Sequence, residues 1–238
     1  MHITISHPTE SHAAAAIATL DAGIMAYQAA WDLQLKLHER VLAGELAGGI
    51  LMLVEHPPTI TIGRHPDARR HLLASAAQLS ARLVEVVETD RGGDITFHGP
   101  GQLVVYPIIP LNSYNLKLHD YMRLLEKVVI EVLARFSVTG RRSPGATGVW
   151  VTAANSPTPA KICAMGIKLR RWISLHGLAL NITTDLSYFE LINPCGLGRP
   201  VTTLSVLLGE HTPTMSQVKT VMVDQFKTAL LHRATDHR

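Results

Sequence analysis

Several features that mark particular classes of protein are scarce or missing in this sequence of 238 residues. There are two cysteines, Cys163 and Cys195, so a framework of disulfide bonds is excluded, and we expect both thiols to be reduced. Aromatic residues make up 5% of the chain, which argues against a surface that stacks the bases of single-stranded nucleic acid. No apolar run is long enough to cross a bilayer, so no membrane span is predicted.

The basic residues that direct export are also missing near the N-terminus. No lysine or arginine precedes Lys36, whereas a secretory signal begins with basic residues and a transit peptide is rich in arginine. The alanine-rich stretch after Ser11 also contains Asp21. We therefore expect a cytoplasmic protein.

Motifs of phosphate and metal sites are absent as well. The sequence has no GxxxxGK[ST], no HExxH and no CxxC. His65 and His71 lie near each other but lack a partner at useful spacing, so no metal site is predicted. Residues 91–101 do not match GxGxxG and lead into a strand instead of a helix, which argues against a dinucleotide fingerprint.

What the chain does contain favours one α+β domain over residues 1–238. Its 47% hydrophobic and 17% charged residues are enough to build a sizeable core. Predicted strands come in runs with helices between the runs, which indicates a mixed or antiparallel sheet flanked by helices. The periodicity predicts helices at 25–42, from 118 onward, at 186–190 behind a cap at Asp185, and at 215–232. It predicts strands within 48–63, 81–90, 101–111, 148–153, 160–169 and 172–183, the last two as an antiparallel pair.

The stretch RGGDITFHGPG at 91–101 combines backbone freedom with reactive side chains. Four glycines and a proline surround Arg91, Asp94 and His98. A hairpin with tight turns would explain the glycines, but the three polar side chains are more than a turn needs. The alternative is a ligand that lies against the main chain.

Cys195 is the stronger of two candidate nucleophiles. It follows a short predicted helix in the loop sequence INPCGL. Cys163 instead lies in a predicted strand with alternating apolar residues, where we expect its side chain to be buried in the core. A thiol needs activation by a nearby cation or base. Lys161, at the start of that strand, is one candidate, and His98 and His176 are other possible bases.

The net charge of +3 and the pI of about 9.0 leave two interpretations open. Basic residues cluster at 141–142 and at 168–171. These clusters are either ordinary solvated surface or a rim that docks an acidic protein partner.

Taken in order, the segments RGGDITFHGPGQLVVYP, AKICAMGIKLRRWISLHGLALN and NPCG resemble the octanoyltransferases of lipoate biosynthesis (lipoyl/octanoyl-ACP:protein N-octanoyltransferases). The resemblance extends from Glu55 to about Pro200. It implies an α+β catalytic domain like that of biotin and lipoate protein ligases, with core motifs at about 50–210.

The resemblance also implies roles for individual residues. Cys195 corresponds to the family's nucleophile, and Lys161 corresponds to the lysine that tunes it. Cys163 occupies a position that is often alanine in the family, which places a second thiol near the site. Three segments correspond to the substrate site: Arg91, Gly92, Gly93, Asp94, Ile95, Thr96, Phe97 and His98; Ala164, Met165 and Gly166; and Gly177, Leu178 and Ala179.

The implied reaction is acyl transfer through a cysteine thioester. Octanoyl groups arrive on the phosphopantetheine arm of acyl carrier protein and leave on a lysine of a lipoyl domain, in 2-oxoacid dehydrogenases or in the glycine cleavage H protein. Since an amide is more stable than a thioester, the resemblance implies no ATP and no cofactor. Lys161 would favour the thiolate and then relay a proton from the amine.

Three other functions compete with this interpretation. An ATP-dependent lipoate or biotin ligase would share the fold but would need an adenylate site. A cysteine hydrolase would need a Cys–His pair, with His98 or His176 as the base. A non-catalytic module that binds acyl groups or carrier proteins would form no covalent adduct.

Overall fold

We describe residues 17–152, 158–193 and 199–235 from a computed structural model. The helices are α1 Tyr27–Leu42, α2 Ala76–Ala81, α3 Leu118–Arg135, α4 Leu204–Leu208 and α5 Met215–Thr235. The strands are β1 Ala18–Ile24, β2 Ile50–Glu55, β3 Thr59–Ile62, β4 Glu85–Glu88, β5 Ile95–His98, β6 Gln102–Ile108, β7 Arg141–Ser143, β8 Ala146–Val151, β9 Ala160–Arg170 and β10 Ile173–Asn181. Short 3₁₀ turns lie at Ala68–His71, Leu111–Tyr114, Leu186–Leu191 and Gly209–His211.

These strands form two mixed sheets within the described residues. The larger has seven strands in the order β1-β2-β6-β10-β9-β8-β7, and the smaller has three in the order β4-β3-β5. β1 pairs with β2 in parallel and β3 with β4 in parallel, whereas the other pairs are antiparallel. The predicted α+β class is confirmed.

Side chains alternate between the two faces of the large sheet, so apolar residues lie on both faces. Helices cover each face. Leu51 and Leu53 of β2 pack toward α3 and α5, together with Leu103 and Val105 of β6. The alternate positions of the same strands, among them Met52, pack toward α1. The apolar strand β6 is buried over its whole length, as its uninterrupted run predicts.

Most of the predicted elements are present. β9 and β10 form the predicted antiparallel pair, and the Asp185 carboxylate accepts the backbone N–H of Ser187 at the start of its 3₁₀ turn. The strands β1, β5 and β7 were missed. Alanine and glycine have low strand propensity, so the alternation in β1 is hard to recognise from local sequence. Among the described residues, no helix is both long enough and apolar enough to cross a membrane.

Candidate functional site

A cavity of about 550 Å³ lies where the glycine-rich stretch meets the β9–β10 pair. Among the residues predicted for the site, those that line it are Arg91, Gly92, Gly93, Asp94, Ile95, Thr96, His98, Lys161, Ala164, Met165, Gly166, Gly177, Leu178 and Ala179. Phe97 packs elsewhere, with its ring stacked on Tyr188 at 4.6 Å. Cys195 lies outside the described residues.

The glycines of the 91–101 stretch let backbone segments approach one another. The N–H of Gly92 donates to the carbonyl of Ile167 in β9 at 2.9 Å. A Cβ added to Gly166 would lie 2.5 Å from the carbonyl oxygen of Gly92, so no larger residue fits there without a shift. The stretch is therefore fixed against β9 and forms a wall of the cavity, and its second half is β5, not a free loop.

Arg91 acts as an internal brace. Its side chain is buried, and its guanidinium donates to the hydroxyl and carbonyl oxygens of Thr61 in β3 and to the carbonyl of Gly92. These bonds join the small sheet to the glycine-rich wall. Because its guanidinium is buried and bonded to Thr61 and Gly92, Arg91 braces this wall from inside the protein.

A chain of buried hydrogen bonds runs from this brace toward Lys161. The Thr61 hydroxyl donates to Nε2 of His98 at 3.3 Å, and His98 Nδ1 donates to the side chain of Gln102 at 2.7 Å. Gln102 donates to Asn181 at 2.8 Å, and Asn181 donates to the carbonyl of Thr202 at 3.1 Å. Burial, and then repulsion from His56 and Arg91, lowers the pKa of His98 well below its usual range, so His98 is neutral at pH 7.

His56 is a second buried histidine, and its ring centre lies 5.8 Å from that of His98. Its Nδ1 donates to the carbonyl of Met25 at 2.7 Å, and the Tyr106 hydroxyl donates to its Nε2 at 2.8 Å. Burial lowers the pKa of His56 to about 4, although the bond to Met25 opposes the shift.

We expect this shift to make the fold acid-labile. Between pH 6.5 and about 4 the unfolded chain binds a proton at His56 that the folded chain does not, so stability falls as pH is lowered through this window. The loss is about 3 kcal/mol when complete. Urea unfolding at pH 7 and pH 4.5 should show a smaller pH dependence in His56→Gln than in the wild type. The exposed His119→Gln is the matched control; an equal slope in His56→Gln and the wild type would contradict the assignment.

Lys161 reaches the cavity because β9 contains an extra residue. Trp150 pairs with Lys161 and Val149 pairs with Cys163, so Ile162 is inserted as a β-bulge. Ile162 and Cys163 consequently both pack into the core on the α3 side, whereas Lys161 lines the cavity. The Lys161 ammonium lies 4.9 Å from the centre of the Trp150 ring, within range of a cation–π interaction.

Cys163 is therefore a core residue despite its position two residues from Lys161. Its side chain is fully buried, and burial raises the pKa of its thiol far above the usual range. A thiol in this state is a small apolar group and not a nucleophile.

Backbone hydrogen bonds hold the described residues on both sides of Cys195 against residues that line the cavity. The N–H of Asn193 donates to the carbonyl of His71 at 2.8 Å. After the gap, the N–H of Lys161 donates to Pro200 at 2.8 Å, and the N–H of Thr202 donates to Lys161 at 3.0 Å. Lys161 and the chain that follows Cys195 are thus joined backbone to backbone.

His176 also lines the cavity, but its ring is hydrogen-bonded to a neighbouring carboxylate. It is 1% exposed, and its Nε2 bonds to the Asp90 carboxylate at 2.7 Å. Lys168 binds the other oxygen of Asp90 at 2.5 Å. Burial lowers the pKa of His176, partly offset by Asp90.

Part of each basic cluster is paired with acidic side chains. Arg142 binds the buried Glu126, Lys168 binds Asp90, and Arg170 lies 3.4 Å from Glu39. These pairs anchor the clusters to the fold, and a docking role for them stays a prediction.

A carboxylate–imidazole pair in the cavity wall was not predicted from the sequence. His71 Nδ1 lies 2.7 and 2.9 Å from the two oxygens of Asp94. The two residues are 23 positions apart, so no local spacing signals the pair. His65 and His71 stack with ring centres 6.4 Å apart, yet no three metal-binding side chains are grouped among the described residues.

Comparisons with known sequences agree on one family. The profile of the lipoyl protein ligase A/B catalytic domain matches residues 26–227. The octanoyltransferase of Chloroflexus aggregans is 48% identical over 198 residues, covering 82% of this chain and 86% of its own. The octanoyltransferase of Flavobacterium psychrophilum is 41% identical over 217 residues, covering 87% and 93%.

Solved structures share the fold at low identity. A putative lipoate protein ligase from T. acidophilum with bound lipoic acid has a TM-score of 0.65 at 15% identity, covering 89% of this chain and 85% of its own. A lipoate-protein ligase A bound with ATP has a TM-score of 0.64 at 13% identity, covering 89% and 83%. These similarities confirm the predicted ligase-like architecture and carry no further conclusion.

Proposed function

Since this chain belongs to the octanoyltransferase family, with a lipoyl protein ligase A/B catalytic domain, we propose that it carries an octanoyl group from acyl carrier protein to a lysine of a lipoyl domain. The family makes the protein an acyltransferase of protein lipoylation. The donor, the covalent intermediate and the acceptor are parts of the proposal.

The junction of Lys161 with the chain around Cys195 is the observation that carries the proposal. Backbone hydrogen bonds join Lys161 to Pro200 and Thr202, and the bulge at Ile162 directs the lysine side chain into the cavity. An ammonium close to the thiol would favour the thiolate, which is the nucleophilic form. This arrangement supports Cys195 as the nucleophile and Lys161 as the residue that activates it.

In the first half-reaction, the Cys195 thiolate attacks the carbonyl carbon of the octanoyl thioester. The new C–S bond forms, the old one breaks, and the electron pair leaves on the sulfur of the phosphopantetheine arm, which takes a proton from the Lys161 ammonium. Backbone N–H groups near Cys195 are the proposed donors to the oxyanion. The acyl chain would lie in the cavity, whose walls include Val104, Leu178 and Ala179.

In the second half-reaction, the lysine amine of the acceptor attacks the acyl-cysteine. A C–N bond forms, the C–S bond breaks, and Cys195 leaves as a thiolate. The proton that the amine nitrogen loses passes to Lys161, which is again an ammonium beside the thiolate. The product amide is more stable than the thioester, so we propose that neither ATP nor another cofactor is required. Both the carrier protein and the lipoyl domains of 2-oxoacid dehydrogenases or H protein would approach the basic clusters from solvent.

Intact-mass spectrometry tests the proposal directly. Incubation of the wild type with octanoyl-acyl carrier protein, without ATP, should add the mass of one octanoyl group to the enzyme. Addition of a lipoyl domain should then move that mass to the domain. Transfer that depends on ATP would favour a ligase, release of free octanoate would favour a hydrolase, and no adduct would leave only a binding module.

A further inference from the structure

The lining of the cavity changes from polar to apolar along β6 and β10. At one end, Asn181 of β10 bonds to Gln102 of β6 and is connected through the buried hydrogen-bond chain to the backbone of Lys161. Two residues further along each strand, Ala179 pairs with Val104, and both pack on the α1 side of the sheet. The polar end suits the carbonyl of an acyl group, and the apolar part suits its hydrocarbon chain.

The rings of Tyr27 and Tyr106 close the apolar end. Tyr106 follows Val104 by two residues on the same face of β6, and Tyr27 is the first residue of α1. Both tyrosines are almost fully buried and line the cavity. In the neighbouring strands Gly177 pairs with Gly166, so β9 and β10 place no side chain in front of the rings.

Both rings are fixed in position by their neighbours. The Tyr27 ring stacks on that of His98 with ring centres 5.8 Å apart, and it lies 5.2 Å from the ring of His56. The Tyr106 hydroxyl donates to Nε2 of His56 at 2.8 Å. Rings that are held by packing and hydrogen bonds do not move aside for a longer ligand.

The length of the apolar part matches eight carbons. Gln102 and Tyr106 are four residues apart in β6, which is about 13 Å along an antiparallel strand. A zigzag chain of eight carbons with bonds of about 1.5 Å is about 9 Å long. With the carbonyl at the polar end, about 4 Å remain before the rings, which is one van der Waals contact. Two further methylenes would need about 2.5 Å that the rings occupy.

Resting on the proposed octanoyl transfer, we propose that Tyr27 and Tyr106 form the stop that limits the acyl chain to eight carbons. The terminal methyl contacts the two rings, and the middle of the chain contacts Val104 and Ala179. A longer chain meets the rings before its carbonyl reaches the polar end, whereas a shorter chain leaves apolar surface uncovered. Neither tyrosine belongs to the three segments that the resemblance assigned to the substrate site.

The outer parts of the lining are unsuited to measuring length. Leu118, at the start of α3, is 49% exposed, and Gly145 and Thr147 of the turn into β8 are exposed as well. An acyl tail directed toward these residues would reach solvent, so its length would not be limited.

The preference for chain length within each variant tests the proposal. Hexanoyl-, octanoyl- and decanoyl-acyl carrier protein are compared by kcat/KM for transfer to a lipoyl domain. Because both substrates of a ratio meet the same preparation, a smaller folded fraction cancels. The wild type should prefer octanoyl over decanoyl by at least about 10-fold, and Tyr27→Val, which removes the ring, should lower this ratio by at least about 10-fold. Tyr27→Phe keeps the ring and should keep the wild-type ratio.

Two further variants fix the direction of the tail. Ala179→Val adds bulk beside the middle of the chain and should shift the preference from octanoyl toward hexanoyl. The matched control is Leu118→Ala, which shortens a side chain at the outer end and should leave the ratios unchanged. A ratio that changes in Leu118→Ala but not in Tyr27→Val would place the tail at the outer end and overturn the proposal.

Calorimetric binding of free octanoate and decanoate repeats the comparison without any transfer. The wild type should bind octanoate more tightly, and Tyr27→Val should bind decanoate at least as tightly as octanoate. If the wild type transfers no acyl group of any length, the proposed function fails, and the order of binding still decides about the stop. Equal binding of the two acids by the wild type would overturn it.

Discussion

Replacing Cys195 by serine is expected to abolish both the octanoyl adduct and the transfer reaction. A hydroxyl is far less acidic than a thiol, so the Lys161 ammonium that favours a thiolate cannot generate an alkoxide at neutral pH. We expect transfer to fall by at least about 10⁴-fold. Intact-mass spectrometry after incubation with octanoyl-acyl carrier protein measures the adduct, and release of the carrier thiol measures turnover.

Cys163→Ser is the matched control for this experiment. Cys163 is fully buried in the core behind β9, so the variant should keep the adduct. It should lose about 1–3 kcal/mol of stability, since a hydroxyl replaces the thiol among apolar side chains. An adduct that survives in Cys195→Ser and disappears in Cys163→Ser would reverse the assignment of the nucleophile.

Replacing Lys161 by methionine is expected to slow transfer by about 10³-fold while the fold persists. Methionine keeps the length of the side chain and its contact with Trp150 but removes the charge. The fraction of Cys195 present as thiolate should fall, so alkylation by iodoacetamide at pH 7 should slow together with transfer. Alkylation is measured in a Cys163→Ser background, so that one thiol reports.

Lys227→Met provides the matched control, because Lys227 is an exposed lysine of α5 that lies outside both the cavity lining and the basic clusters. It should retain both transfer and alkylation. The opposite pattern, in which Lys161→Met is active and His176→Ala is inactive, would favour a Cys–His hydrolase over the acyltransferase mechanism.

The candidate site shows how many of the residues that line a cavity can be predicted from the local sequence. Composition and position singled out the glycine-rich stretch and Lys161, and the resemblance added residues 164–166 and 177–179. Of the predicted site residues that the structure describes, all line the cavity apart from Phe97. Phe97 lies in β5, and its side chain packs on Tyr188 instead of facing the cavity. The role of Cys195 stays a prediction, since that residue lies outside the described part of the chain.

The sequence by itself determined the elements whose signal is local. Period and apolar runs specify α1, α3 and β6, and also the β9–β10 hairpin, since these segments carry enough apolar side chains to define their buried faces. The glycine-rich, KICAMG and NPCG segments together identified the family. Three separated motifs in the same order are far more specific than any one of them alone.

Tertiary structure alone decided which side chains meet. The inserted Ile162 turns Lys161 toward the cavity and Cys163 toward the core, and an insertion is visible only when β9 is paired with β8. His71 meets Asp94 because a 3₁₀ turn and the residue before β5 converge, and His98 is neutral because the fold buries its ring beside His56 and Arg91. The physical reason is common to these cases. Burial, charge state and orientation depend on residues distant in sequence, and only folding brings these residues together.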